Sequence, residues 1–474
     1  MLRTVSEAAQ RNTAWGLDLA DAMAARSEWK SDLWYWVISA WEKAELDQES
    51  KGRVLSCLST SQLYPENSGD IADVLKKFLQ GDDPKDLAEL LDKIHAIATT
   101  LYPYAAAVED ISYNIRISEV SPDTSWFTKA INHPFGKLAR FWVHSIDFWR
   151  KQQAVSPQAL STEYRRALDT IMEDNGIPGK LGRTILTSGF YFLHNVDSGW
   201  TEHHLLPLLD AQHEDFSCAW DGLIRRQPSP PTAELLKDQL IGGLQRAIQD
   251  FPENRLERFI QFYTLVMSYL VDNDKDKWIC TFFEQAREKP ELKHMFTTQI
   301  GHLLSDLDES SQSEWWKVWL KNYWNNRLQG VPCPLDDAEI ATMFQWVIRL
   351  QGVFPEAVDM AVQMRPVPLK HSLDLSLRPE VSEMLINRYP TQLARFLIHL
   401  WKRNTYPWFW HSDSQILMGS TSAMGCLTQL QKRNAATTAN PMQSGQCVGP
   451  IPIILLPRLD GAGPLEPIHS AVLL

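Results

Sequence analysis

Leu256-Glu257-Arg258-Phe259-Ile260-Gln261-Phe262-Tyr263-Thr264-Leu265-Val266-Met267-Ser268-Tyr269-Leu270 carries Leu256, Phe259, Ile260, Tyr263, Val266, Met267 and Leu270 at steps of three and four. That spacing lines one face of a helix with 3.6 residues per turn. The same period recurs outward in both directions. Leu33, Trp34, Trp36, Val37, Ala40, Trp41 and Ala44 fall on one broad face, as do Leu138, Trp142, Ile146 and Trp149. Helix starts are legible as well. Ser311 followed by Glu314 reads as a capping box ahead of Trp315, Trp316, Trp319, Leu320, Tyr323 and Trp324. Asp336 with Glu339 opens another helix, carrying Ile340, Met343, Phe344 and Val347.

The breaks are short: Gly81-Asp82-Asp83-Pro84, Asn175-Gly176-Ile177-Pro178-Gly179, Gln227-Pro228-Ser229-Pro230-Pro231 and Gly330-Val331-Pro332. Short loops between amphipathic helices imply antiparallel neighbours. A single bundle of 474 residues is too large, because one core stops growing near roughly 250–300 residues. The expected fold is therefore all-α, an irregular helical-repeat, α-solenoid-like array of antiparallel helix pairs. No clean sequence repeat accompanies it.

Composition bounds the function classes. Lys and Arg number 46 against 58 Asp and Glu, a formal net charge of −12. An acidic chain is a poor general nucleic-acid binder, since phosphate contacts need basic patches. No stretch approaches the roughly 18 apolar residues of a membrane span, and Met1-Leu2-Arg3-Thr4-Val5-Ser6-Glu7 has no secretory apolar region. Cys57, Cys218, Cys280, Cys333, Cys426 and Cys447 form no CxxC pair. They read as buried thiols in a reducing cytoplasm.

All 19 tryptophans lie between Trp15 and Trp410. After His411 the charges thin to Asp413, Lys432, Arg433, Arg458, Asp460 and Glu466, and helical periodicity stops. The expected organisation is an N-terminal helical segment 1–130, a helical domain 131–410 and a poorly structured, low-charge tail 411–474. That tail is either a flexible appendage or out-of-frame sequence, of which the second is favoured. An intact relative with the same tail would exclude it.

Several constellations resemble chemistry and are weighed against structure. His194, Glu202, His203, His204, His213, Glu214 and Asp215 gather four histidines, but HExxH is absent and no i,i+4 His pair presents two ligands. Glu202-His203-His204 reads instead as a helix start, with Leu205, Leu206, Leu208 and Leu209 in the core. Gly176-Ile177-Pro178-Gly179-Lys180 lacks the earlier glycine and following Ser/Thr of a phosphate loop, since Asp174 and Leu181 stand there. It reads as a helix–helix turn. Gly461-Ala462-Gly463 has no strand–turn–helix context. Cys218 with His213 reads as a buried thiol, with nothing nearby to activate it. The tryptophan-rich helices read as inter-helix core. Trp315-Trp316 is the exception, because adjacent residues point about 100° apart and one can protrude.

His133-Pro134-Phe135-Gly136-Lys137-Leu138-Ala139-Arg140-Phe141-Trp142 resembles the HP-x-G-x-L-A helix start of an uncharacterised bacterial domain family. That family stands C-terminal to sirtuin-like NAD-hydrolysing domains in antiphage defence proteins. Phe190-Tyr191-Phe192-Leu193, Asp197-Ser198-Gly199-Trp200-Thr201-Glu202 and His204-Leu205-Leu206-Pro207-Leu208 are similar to its next block. Ala219-Trp220-Asp221-Gly222-Leu223, Arg327-Leu328-Gln329-Gly330-Val331-Pro332 and Phe354-Pro355-Glu356-Ala357 extend the likeness to about residue 410. The resemblance implies a helical module that regulates or docks a sirtuin-like NAD-depleting domain and responds to a phage protein. It implies no catalysis in this chain, and so no catalytic, cofactor or metal residue. The alternatives are a metal-dependent hydrolase using His194, Glu202 and His203, or a non-functional fragment of a larger protein.

Overall fold

Helix starts in this chain are written by side chains that take the place of missing backbone acceptors. Asn12, Asp47, Ser125, Ser161, Asp197, Asp308 and Asp336 each accept a hydrogen bond from a first-turn backbone N–H. In the computed structural model, which describes residues 2–29, 32–80, 84–108, 125–153, 159–269, 272–365, 367 and 379–401, helices and turns account for the fold, and no strand occurs among the described residues. The all-α class is as the periodicity implies.

The helices pack on one another in succession. Leu2–Arg11 packs on Leu33–Lys43, which packs on Tyr64–Phe78, then Pro134–Gln152, Ile177–Ser188 and Phe216–Leu223. Thr13–Ala25 packs on Gln48–Leu58 and that on Pro84–Ala106, while Thr13–Ala25 also touches Leu2–Arg11 and Pro84–Ala106 touches Tyr64–Phe78. Beyond Pro230–Asp250 the packing continues through Glu253–Tyr269, Pro290–Asp306, Asp337–Arg349, Phe354–Ala361 and Pro390–Trp401. One contiguous apolar core runs from Leu17 to Leu400, so residues on both sides of 131 share it: Ala130 and Phe135 are both members. Among the described residues no helix is long and apolar enough to cross a membrane.

The tryptophans are largely core. Trp34, Trp41, Trp142, Trp220, Trp278, Trp316, Trp324 and Trp346 are fully buried. Trp316 is buried beside a half-buried Trp315, the divergence that their adjacency implies. The stretch 256–269 buries Leu256, Phe259, Ile260, Tyr263, Val266 and Met267, while Leu270 lies outside the described residues.

Two local expectations are corrected. Ser311 is not the N-cap of the tryptophan-rich helix. Asp308 is, and the Ser311 backbone N–H donates to its Oδ1 at 2.7 Å. The chain then passes through a five-residue π turn, Trp316–Leu320. Glu202-His203-His204 ends rather than starts a helix, Ser198–His204, whose cap is Asp197. Histidines suit that end, where the helix dipole is negative. Residues 411–474, including Cys426, Cys447 and Gly461-Ala462-Gly463, lie outside the described residues, as do Gly81-Asp82-Asp83. Of the described cysteines Cys218 and Cys333 are buried, but Cys57 is half-buried and Cys280 is exposed on its helix, which corrects the expectation that all are buried.

Candidate functional site

His133, Gly136, Asp197 and Gly222 all hold framework positions. His133 caps Pro134–Gln152: its Nδ1 accepts from the Phe135 N–H at 3.2 Å, and its Nε2 lies 2.8 Å from the Val108 carbonyl oxygen. A Cβ at Gly136 would sit 1.9 Å from the Ala130 carbonyl oxygen. One at Gly222 would sit 2.2 Å from the Thr184 carbonyl oxygen. Only glycine allows those two helix crossings. Asp197 accepts from the N–H groups of Trp200 and Leu160 and pairs with Arg165 at 2.7 Å.

The histidine-rich stretch separates into three sets. His194 Nε2 lies 3.2 Å from Glu202 Oε1. His203 stands edge-on to His204, which stacks on Trp200 at 4.9 Å and approaches Asp169 at 3.8 Å. Burial lowers the His204 pKa, with Asp169 opposing it. His213 Nδ1 accepts from the Asp215 backbone N–H. Glu214 and Asp215 face Lys180, and Asp215 pairs with Arg183 at 2.7 Å. Among the described residues no group of three or more His, Cys, Asp or Glu is placed to hold a metal.

Cys218 is buried and its Sγ donates to the Asp215 carbonyl oxygen at 3.1 Å. Burial, followed by the Asp215 charge, pushes the thiol up to about 12, so little thiolate forms at neutral pH. At the glycine turn, Asp174 Oδ1 accepts from both Gly176 N–H and Gly179 N–H, at 2.8 and 3.2 Å. The chain's own carboxylate thus occupies the donors a phosphate would need, and the segment opens helix Ile177–Ser188.

Three arrangements escaped the sequence reading. Helices Pro84–Ala106, Pro134–Gln152 and Thr162–Glu173 bring His95 Nε2 to 2.7 Å from Ser145 Oγ, and His95 Nδ1 to 2.8 Å from Glu163 Oε1. These are the contacts of a Ser–His–acid relay. Its polarity is reversed, however: Ser145 is completely buried, whereas the Glu163 side chain is 58% exposed. A nucleophile must face substrate, so this relay ties three helices together.

The second is Arg327 with Glu339, both completely buried and paired through two bonds of 2.6 and 2.9 Å. Arg327 also donates to the carbonyl oxygens of Val331 and Cys333 and lies over the Phe283 ring. The third is an adjoining open cleft of about 660 Å³, lined by Arg287, Glu288, Lys293, Pro332, Asp336 and Arg365 among others. Lys293 pairs with Asp336 at 2.9 Å and Arg365 pairs with Asp337, so its floor is charged but largely self-neutralised.

This last region is where the chain is similar to a known family. The family described as Domain of unknown function (DUF4020) matches residues 264–372, which take in Arg327, Glu339 and every residue lining the cleft. No curated protein and no solved structure matches the chain.

Proposed function

We propose that this chain is a non-catalytic helical scaffold of a bacterial antiphage defence protein. On this reading it works in the cytoplasm, binds a protein partner rather than nucleic acid or membrane, and regulates a sirtuin-like NAD-depleting domain. The partner is that effector domain or a phage protein. The observation supporting it is the placement of the likeness-bearing residues. His133, Gly136, Asp197 and Gly222 are helix caps and close crossings. A family that shares such positions shares the shape of an array, and a helical array offers extended surface to a partner. The acidic balance favours basic partners.

The test is NAD consumption. The purified chain alone is expected to consume no NAD. Added to a sirtuin-like NAD-hydrolysing domain, the chain is expected to change that domain's NAD hydrolysis. Metal-dependent hydrolysis by the chain alone, abolished by His203→Ala, would instead establish the hydrolase reading.

A further inference from the structure

Asp221 is a buried carboxylate with more positive charge around it than it can neutralise. Its Oδ2 accepts from the Phe127 backbone N–H at 3.0 Å. Its Oδ1 lies 3.2 Å from Arg225 Nη2 and 3.7 Å from Arg255 Nε. Arg255 is 8% exposed, and its Nε has no hydrogen-bond partner even though Nη1 donates to Ser217 Oγ at 2.7 Å. Arg258 stands three residues further along Glu253–Tyr269, on the same side of that helix as Arg255. It is exposed, and among the described residues it makes no ion pair. Like charges at this spacing disfavour the helix. Arg225 feels the surplus: burial, then the charges of Arg258 and Arg255, lower its pKa against the pull of Asp221.

We infer that Arg225, Arg255 and Arg258 form a binding site for a phosphoryl group. Arg225 and Arg255 both approach Asp221, and Arg258 stands one turn from Arg255, so this edge carries three guanidiniums to one carboxylate, a surplus of two positive charges. A phosphate monoester carries about −1.5 to −2 near neutral pH, so it balances them, whereas a carboxylate leaves one over. The planar arginine fork also matches phosphate oxygens in pairs. The Ser125 hydroxyl, which accepts from Arg225 Nη2 at 2.9 Å and meets Thr128 Oγ1 at 2.9 Å, holds the Arg225 guanidinium at this edge. In a chain of net charge −12, such a cluster is a local exception to the overall field. The inference is independent of the scaffold reading, since a scaffold without this site remains a scaffold.

The shared chemistry is the phosphoryl group, and its source is either free phosphate or a nucleotide monophosphate. The full chain is titrated with inorganic phosphate and, separately, with AMP, at ionic strength held constant with chloride. Heat of binding and thermal unfolding are both followed. Saturable binding that raises the unfolding temperature is expected. Arg258→Gln removes an exposed guanidinium and its repulsion of Arg255, so it should leave the ligand-free unfolding temperature the same or slightly higher, and weaken binding about tenfold, as for one charge-assisted hydrogen bond. Arg225→Lys keeps the charge, loses the fork and should also weaken binding. Tighter binding of AMP, with the same sensitivity to both variants, assigns a nucleotide; equal binding assigns free phosphate. No saturable binding of either probe, or binding that both variants leave intact, overturns the inference.

Discussion

Glu339 and Asp221 are both carboxylates buried where helices meet, and both are approached by arginine, yet their neighbourhoods differ in completeness. Glu339 meets one guanidinium through two short bonds. That guanidinium's other donors are taken by two carbonyl oxygens, and its face covers Phe283. Asp221 meets two guanidiniums, with a third nearby, and Arg255 Nε lies 3.7 Å from Asp221 Oδ1 without a hydrogen bond. Buried charges are tolerated when each lone pair and proton is satisfied. The first cluster meets that condition by itself and acts as a lock between Lys321–Leu328 and Asp337–Arg349. The second meets it only if an anion arrives. Completeness of the charge network, rather than the presence of arginine, separates a structural pair from a binding site.

The largest expected effect tests the lock. Glu339→Gln leaves Arg327 charged and buried, and should cost about 3–5 kcal/mol of stability, read by denaturant unfolding. Replacing both partners, Arg327→Met with Glu339→Leu, should recover most of that loss. A loss under about 1 kcal/mol for the single variant, typical of an exposed pair, would erase the contrast with Asp221.

The next effect is an acid sensitivity confined to the other half of the molecule. His144 sits inside Pro134–Gln152 and is 9% exposed. Burial, with Arg140 and Lys76 adding to it, lowers its pKa from 6.5 to about 4. Neighbouring His95 is lowered too, by burial against the opposing pull of Glu163. Both therefore stay neutral when folded and take up a proton more readily when unfolded. The stability that follows is fully present above pH 6.5 and is lost as pH falls toward 4. For His144 this amounts to about 3 kcal/mol. Unfolding followed from pH 7 to 4 should show that slope flattened by His144→Gln. Hydrogen exchange should locate the first loss of protection at Pro134–Gln152 and not at Asp337–Arg349. An unchanged slope in the variant would remove His144 as its cause.

Much of this organisation is legible in the sequence because it is local. Apolar residues at three- and four-residue steps imply a helix over 256–270, which the structure begins at Glu253, and Asp336 with Glu339 implies a cap that the structure reproduces at 2.9 Å. The neighbouring cap was misplaced for an equally local reason. Asp308, Ser310 and Ser311 can all accept a first-turn N–H, and periodicity does not choose among them. What local pattern cannot carry is the meeting of distant residues. His95 lies 50 residues from Ser145 and 68 from Glu163, and Arg225 lies 100 residues from Ser125. The glycines of the likeness are intermediate. Gly136 and Gly222 are visible as letters, but the carbonyl that each lets approach belongs to another helix or turn. One signal was available and unused: Arg255 and Arg258, like charges on one helix face, contradict ordinary helix design.

The smallest effect concerns the Ser145–His95–Glu163 relay, which supplies a third term for the comparison. It is complete, as the Glu339 pair is, but it reaches water at its carboxylate end. Ser145→Ala removes one hydroxyl that bonds His95 Nε2 and leaves the imidazole with its Glu163 partner. The expected loss is about 1 kcal/mol, the net value of one buried hydrogen bond. A fluorophosphonate probe distinguishes a helix tie from a hidden nucleophile, because it labels serines only where His-assisted attack can reach an incoming phosphorus atom. Ser145 has no exposed surface, so the folded chain should remain unlabelled. Labelling at Ser145 that disappears in Ser145→Ala would mean that the helices open to expose it. The distinction between satisfied and open networks would then describe only the closed state of the molecule.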